Sequence, residues 1–196
     1  MRGYATIAII AAVVVAALAS VLISGREQAS PGSNALVEAA YPLVTGQVQN
    51  FILADALEPA PALAFQDADG NALSLEDFRG QYVLLNLWAT WCGPCKREMP
   101  SLDRLQASLG GQNFRVLALS EDRTGVEDVK AFFGEIGIEN LVIYIDETAS
   151  SSRKFGVSGL PGTILLDPQG NMVGRMIGPA EWDSPEAVAL LSHFTQ

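Results

Sequence analysis

The sequence predicts an α/β sandwich, a central sheet of mixed direction covered by helices on both faces, and three observations carry that prediction. Tyr82 to Trp88, Phe114 to Leu119 and Leu141 to Ile145 are apolar runs of strand length separated by helix-spaced segments, the alternation that builds parallel strands with crossover helices. Thr163 to Leu166 and Met172 to Ile177 flank Asp167-Pro168-Gln169-Gly170-Asn171, which adds an antiparallel hairpin. The chain's 2 cysteines, Cys92 and Cys95, fall where the first of these strands gives way to a helix.

Each element has its own warrant. The compact domain is expected to begin near Pro59, so the chain divides into 1–24, 25–58 and 59–196. Leu63 to Phe65 and Ala72 to Ser74 read as short strands around Asp67-Ala68-Asp69-Gly70-Asn71. A short helix over Leu75 to Phe78 and then Gly80 lead into Tyr82 to Trp88, whose Val, Leu and aromatic content suits a buried strand. Lys96 to Leu109 places Met99, Leu102, Leu105 and Leu109 at helical spacing, and Gly110-Gly111 ends it. Val126 to Ile136 is amphipathic, Ser150 to Phe155 fits a short helix, and Ser184 caps a last helix with Pro185 at its first position, running to about Phe194. Ala35 to Leu57 is harder. Its apolar positions, Leu36, Val37, Tyr41, Leu43, Val44, Val48, Phe51 and Ile52, fit a helix broken around Pro42 and Gly46, docked on the domain or left mobile.

Both thiols are committed to one site, the run Trp88-Ala89-Thr90-Trp91-Cys92-Gly93-Pro94-Cys95. Two cysteines with two residues between them can close a small disulfide ring. A helix N-terminus at the first one offers unpaired N–H groups and a dipole that favour thiolate. A structural zinc site needs four ligands, and the chain could add only its single histidine, His193, a hundred residues on. Two thiolates suit copper(I), but bulky tryptophan before the pair and Pro94 within it point to a helix start rather than an open metal loop. An inert structural disulfide closing so short a loop would stabilise the domain weakly. Reversible thiol chemistry is the favoured reading, with no metal and no cofactor.

From Ala5 to Ile23 the chain is apolar apart from Thr6 and Ser20. At about 1.5 Å per residue such a helix is about 28 Å long, enough to cross a bilayer. Arg2 precedes the run while Arg26 and Glu27 follow it, which favours a cytoplasmic N-terminus and an exported remainder. Ala17-Leu18-Ala19 resembles a signal cleavage site, but the apolar run outlasts it through Val21-Leu22-Ile23, and a retained anchor is expected. Gly25 to Asn34 has tether composition. Setting aside Arg2 with the anchor leaves 11 of the 12 basic groups against 22 acidic ones, a balance of −11. That argues against nucleic acid and anionic membrane surfaces as partners of the exported part.

At this point the chain resembles the membrane-anchored thioredoxin-fold proteins of the TlpA/ResA type. The matching stretches are Asp67-Ala68-Asp69-Gly70 with Leu75 to Gly80, Leu87 to Pro100, and Val157-Ser158-Gly159-Leu160-Pro161-Gly162-Thr163. The closing Gly178-Pro179-Ala180-Glu181-Trp182 is similar to alphaproteobacterial TlpA proteins. The resemblance implies Cys92 as exposed nucleophile, Cys95 as buried resolving thiol, and Pro161 as a cis-proline packed against the disulfide. Spacing alone would make Pro161 an ordinary trans turn proline. Trp91, Gly93, Pro94, Leu160 and Pro161 would contact an extended client segment, partly through the Leu160 backbone. Pro100 matches the helix-kinking proline of thioredoxins.

Asn86 occupies the place of thioredoxin's buried aspartate and cannot accept a proton. Glu98, three residues after Cys95, matches the active-site glutamate of the ResA-like group, although spacing alone would leave it a solvated surface residue. Trp88 either shields the disulfide or belongs to the core. A second cysteine pair frequent in TlpA proteins is absent here, its places taken by Asn34 and Asn171, which leaves residues 35–57 without that restraint.

The expected protein is therefore a periplasmic thiol:disulfide oxidoreductase held in the inner membrane by residues 5–23, reducing cysteine pairs of exported clients. It would be recharged by an upstream membrane thiol reductant. The resemblance implies clients in cytochrome oxidase copper-site assembly or cytochrome c maturation. The rival from another class is a copper(I) chaperone using Cys92 and Cys95. A thiol peroxidase on a related fold normally sets its cysteine in Thr-x-x-Cys, which Thr90-Trp91-Cys92 lacks.

Overall fold

The computed structural model describes residues 31–195, so the apolar run Ala5 to Ile23 lies outside the described residues. Eight strands form one sheet in the order β1-β8-β7-β4-β5-β6-β2-β3. They are β1 (Ile52–Pro59), β2 (Ala64–Asp67), β3 (Ala72–Ser74), β4 (Tyr82–Trp88), β5 (Phe114–Ser120), β6 (Tyr144–Ile145), β7 (Gly162–Leu166) and β8 (Asn171–Ile177). The helices are α1 (Pro31–Ala40), α2 (Gly93–Leu109), α3 (Val126–Ile136), α4 (Ser151–Lys154) and α5 (Pro185–Thr195). Strands β4, β5 and β6 run parallel, and β7 is antiparallel to β4. This is the mixed sheet expected, with a thioredoxin-fold layout.

Period-two alternation in β4 and β5 sends side chains to two separate cores. Leu84, Trp88, Val116 and Ala118 join Met99, Leu102 and Leu105 of α2, Phe132 and Phe133 of α3, and Leu190 and Leu191 of α5. Val83, Leu85, Leu87, Leu117 and Leu119 pack on the other face with Phe65, Phe78, Tyr144 and Phe155. The second face is covered by shorter elements, among them a 3-10 turn at Leu75–Phe78 whose start is closed by a reciprocal Ser74–Asp77 capping box.

Three expectations need correction. The domain does not start near Pro59, because Ile52–Pro59 is already a strand paired antiparallel to β8. Its register shifts between Leu53 and Glu58, so the alternation that would mark it in sequence is broken. Gly174 lets the strand in: a Cβ there would lie 2.7 Å from the Ile52 carbonyl oxygen. Residues 35–57 are accordingly held without a disulfide, with Val37, Ala40, Val48, Phe51 and Leu53 in the core. Pro31 to Asn34, read as the end of a tether, are helical. Finally, the third parallel strand is only Tyr144–Ile145. The buried Asp103 carboxylate of α2 takes the backbone N–H groups of Glu139, Asn140 and Leu141 (3.2, 2.7 and 3.1 Å), so Leu141, the first residue of the expected strand, is drawn toward α2 and has no N–H free for a ladder.

Candidate functional site

Strand β4 ends at Trp88, and the chain turns through Ala89–Trp91 into α2. Cys92 is the N-cap, with extended backbone, and its sulfur accepts the Cys95 N–H at 3.3 Å. Pro94 fills a first-turn position, where a missing N–H costs nothing. Cys92 and Cys95 are joined as a disulfide, S–S 2.06 Å. Cys95 is fully buried and Cys92 keeps 6% of its surface, so the expected exposure of Cys92 is a narrow window rather than an open thiol. Beside it Trp91 is 70% exposed, whereas Trp88 is fully buried and stacks on Phe133 at 5.7 Å. Trp88 therefore belongs to the core.

On β7, Gly162 pairs with Leu87, which brings Leu160 and Pro161 to the end of the sheet where β4 delivers the cysteines. The Leu160–Pro161 peptide bond is cis, against what spacing alone suggested. Pro161 carbonyl oxygen accepts the Gly178 N–H, tying this segment to the loop after β8. Gly93 lies beside the Arg97 guanidinium, which a Cβ on Gly93 would meet at 3.8 Å. Pro100 lies within α2, where its missing N–H leaves the Lys96 carbonyl without its helical partner.

Glu98 is 1% exposed, not a solvated surface residue. One carboxylate oxygen accepts Asn86 Nδ2 at 2.7 Å; the other accepts the Ala180 N–H at 3.1 Å and Trp182 Nε1 at 3.2 Å. Burial pushes its pKa from 4.5 up to about 7; the three donors oppose that rise and the Glu181 charge adds to it. Asn86, paired in register with Thr163, donates to Thr163 Oγ1 as well, at 2.9 Å. A carboxyl titrating near neutrality, one helical turn after Cys95, is fit to accept or return a proton.

Two residues at this site went unread as functional. Asp122, buried at the end of β5, accepts Thr90 N–H at 2.9 Å and Thr90 Oγ1 at 2.6 Å, fixing the turn before Trp91. Its position just past a central parallel strand was the available signal. Trp182 was quoted only as part of a resemblance, and nothing in its spacing reveals its contact with Glu98. Among the described residues no group of three or more His, Cys, Asp or Glu is gathered as a metal site.

The fold and the cysteine pair define a class, and comparison with known proteins gives it a family. The family model described as AhpC/TSA matches residues 56–175, and the chain belongs to that family. ResA, a thiol-disulfide oxidoreductase of Bacillus anthracis, is 34% identical over 119 residues, which are 61% of this chain and 68% of that protein. The thioredoxin domain of a thiol-disulfide oxidoreductase from Bacteroides vulgatus superposes with a TM-score of 0.60 at 27% identity, covering 71% of this chain and 96% of that one. A thiol:disulfide interchange protein from Bacteroides sp. gives 0.60 at 29% identity over 73% and 91%. The protein is a thiol:disulfide oxidoreductase of the ResA type.

Proposed function

We propose that this oxidoreductase works as a reductant of exported proteins, held to the inner membrane by residues 5–23 with its thioredoxin-fold domain in the periplasm. The observation that carries the reading is the Cys92–Cys95 disulfide at the start of α2, with Cys95 sealed and only Cys92 reachable. In the dithiol form, Cys92 thiolate attacks a client disulfide, forming a mixed disulfide and releasing one client thiolate. Cys95 then passes its proton to Glu98 and attacks Cys92 Sγ, which releases the second client thiolate and closes the protein's own disulfide. The client gains two electrons and the protein loses two. An upstream membrane dithiol must return them.

Trp91, Gly93, Pro94, Leu160 and Pro161 form the client-facing rim in this reading. Among the described residues the Leu160 N–H and C=O make no hydrogen bond, leaving both for an extended client strand. The Gly93-Pro94 dipeptide is that of thioredoxin, which supports a potential nearer thioredoxin's roughly −270 mV than the roughly −120 mV of DsbA. Clients bearing cysteine pairs of copper sites or haem-attachment motifs follow from the resemblance to TlpA and ResA proteins.

Trapping tests the assignment. Cys95→Ser should accumulate a dithiothreitol-sensitive mixed disulfide between Cys92 and exported proteins with cysteine pairs, and Cys92→Ser should not. If both variants trap equally, or neither traps while the reduced parent holds copper(I) tightly, the pair acts as a ligand set and the reductant reading fails.

A further inference from the structure

The loop after β8 is fastened to the cysteine helix at three levels. Ala180 N–H and Trp182 Nε1 reach the Glu98 carboxylate, Trp182 N–H donates to Ser101 Oγ at 3.0 Å, and Arg104 pairs with Asp183 at the surface. Ser101 Oγ in turn donates to the Glu98 carbonyl at 2.7 Å, so the loop grips both the side chain and the backbone of Glu98. The same loop begins at Gly178, whose N–H is bonded to Pro161. Trp182 is fully buried, so its indole N–H has no water to turn to.

We propose that Trp182 is a positioning residue for the thiol chemistry: with the Ala180 N–H, its indole N–H holds the Glu98 carboxylate one turn after Cys95 and sets the pH range over which the site exchanges thiols. The proposal rests on the reading that Glu98 handles the Cys95 proton. An indole N–H and a backbone N–H can only donate, so both favour the ionised carboxylate. Asn86 differs, because turning its amide presents an oxygen to the protonated acid and a nitrogen to the carboxylate. In its observed orientation Asn86 favours the carboxylate too, but only the loop's two donors hold that preference whichever way the amide turns. The groups facing Glu98 are uncharged Asn86 from β4, with uncharged Thr163 behind it on β7, and Ala180, Glu181 and Trp182 on the loop. Of these, Glu181 carries the charge that acts on it.

The full-length chain in detergent, labelled with carboxyl 13C glutamate, tests this. Loss of one resonance in Glu98→Gln assigns Glu98. In Trp182→Phe, which keeps an aromatic ring but no N–H, the Glu98 titration midpoint should rise by about one pH unit, since a hydrogen bond to a charged group is lost. The pH profile of insulin disulfide reduction should move the same way. Site-specific replacement of Trp182 by benzothienylalanine, the same shape with sulfur in place of N–H, should act alike and carries the test if Trp182→Phe loses its near-ultraviolet circular dichroism. An unmoved midpoint overturns the proposal. So does a moved midpoint with an unmoved rate profile when Glu98→Gln does change that profile. If Glu98→Gln matches the parent at every pH, the proton role of Glu98 falls, and the role of Trp182 with it.

Discussion

Glu98 and Asp146 are both carboxylates nearly without water, 1% and 3% exposed, yet their pKa values move in opposite directions. Burial is the largest influence on each and pushes both up. At Asp146 the donors win: the N–H and hydroxyl of Thr148, the N–H and hydroxyl of Ser150 and the N–H of Ser151 all reach it, and its carboxyl stays below the ordinary value. At Glu98 three donors are too few, and burial carries it to about 7. The sources of the donors differ as much as their number. Those of Asp146 lie two to five residues along the same loop, so the carboxylate organises its own turn. Those of Glu98 come from β4 and from the loop after β8, 12, 82 and 84 residues away. A carboxylate satisfied by its own loop is a structural centre; one held in short supply by distant elements keeps a proton within reach of neutral pH.

The largest effect should come from breaking the structural member. Asp146→Ala leaves five donors without their acceptor around a fully buried Ser151, and should lower unfolding stability by about 3 kcal/mol. Urea unfolding measures this, and the pH profile of the surviving activity should match the parent. A shifted profile would make Asp146 a participant in the chemistry and dissolve the contrast.

Close in size is the pH dependence that Glu98 builds into the oxidised protein. Its folded pKa is raised from 4.5 to about 7, so the folded state holds the proton more tightly than the unfolded chain. That contribution is complete below about 4.5 and is lost as pH rises through about 7, amounting to about 3 kcal/mol at full loss. Glu98→Gln should flatten this falling limb. Stability of the parent that holds level between pH 4.5 and 7, by denaturant unfolding, would mean Glu98 is ionised in the folded state throughout.

A smaller change is expected in rate. Glu98→Gln should slow the release of client by Cys95 about a hundredfold near neutral pH, the lower end of what a lost proton acceptor costs, and remove the step near pH 7 from the profile. Mixed-disulfide lifetimes from rapid acid quench read this directly.

How much of this was legible in the sequence follows the same division between near and far. Strand β4 and helix α3 occupy the residues expected, because Tyr82 to Trp88 and Val126 to Ile136 carry their period without interruption. Cys92 at the start of α2 was legible from Pro94 and the apolar spacing of Met99, Leu102 and Leu105. Strand β1 was hidden by the irregularity between Leu53 and Glu58, and the shortened β6 by an acceptor, Asp103, that sits 36 to 38 residues upstream of the donors it takes. Spacing also made Glu98 a solvated surface residue, because its burial depends on Trp182 and Ala180 folding back across α2. Local chemistry was readable; satisfaction by remote donors was not.

The smallest effect lies on the acid side and belongs to Asp146. Its folded pKa is depressed below the ordinary 3.8, by hydrogen bonds that favour the charged form over the cost of burial. Its contribution to stability is therefore present above the unfolded value and is lost as pH falls through the folded one, the reverse of the Glu98 limb. Asp146→Asn keeps an oxygen for some of the five donors but cannot ionise, so it should flatten the acid limb below about pH 4 while leaving the descent between 4.5 and 7 intact. Glu98→Gln should do the opposite, and the double variant should lose both limbs, because the two carboxylates share no hydrogen-bond partner and their effects should add. Stability curves of the four proteins against pH, by urea midpoint, make the comparison complete. If Asp146→Asn also alters the descent toward neutral pH, the two carboxylates are coupled, and the division between a structural and a proton-handling group fails.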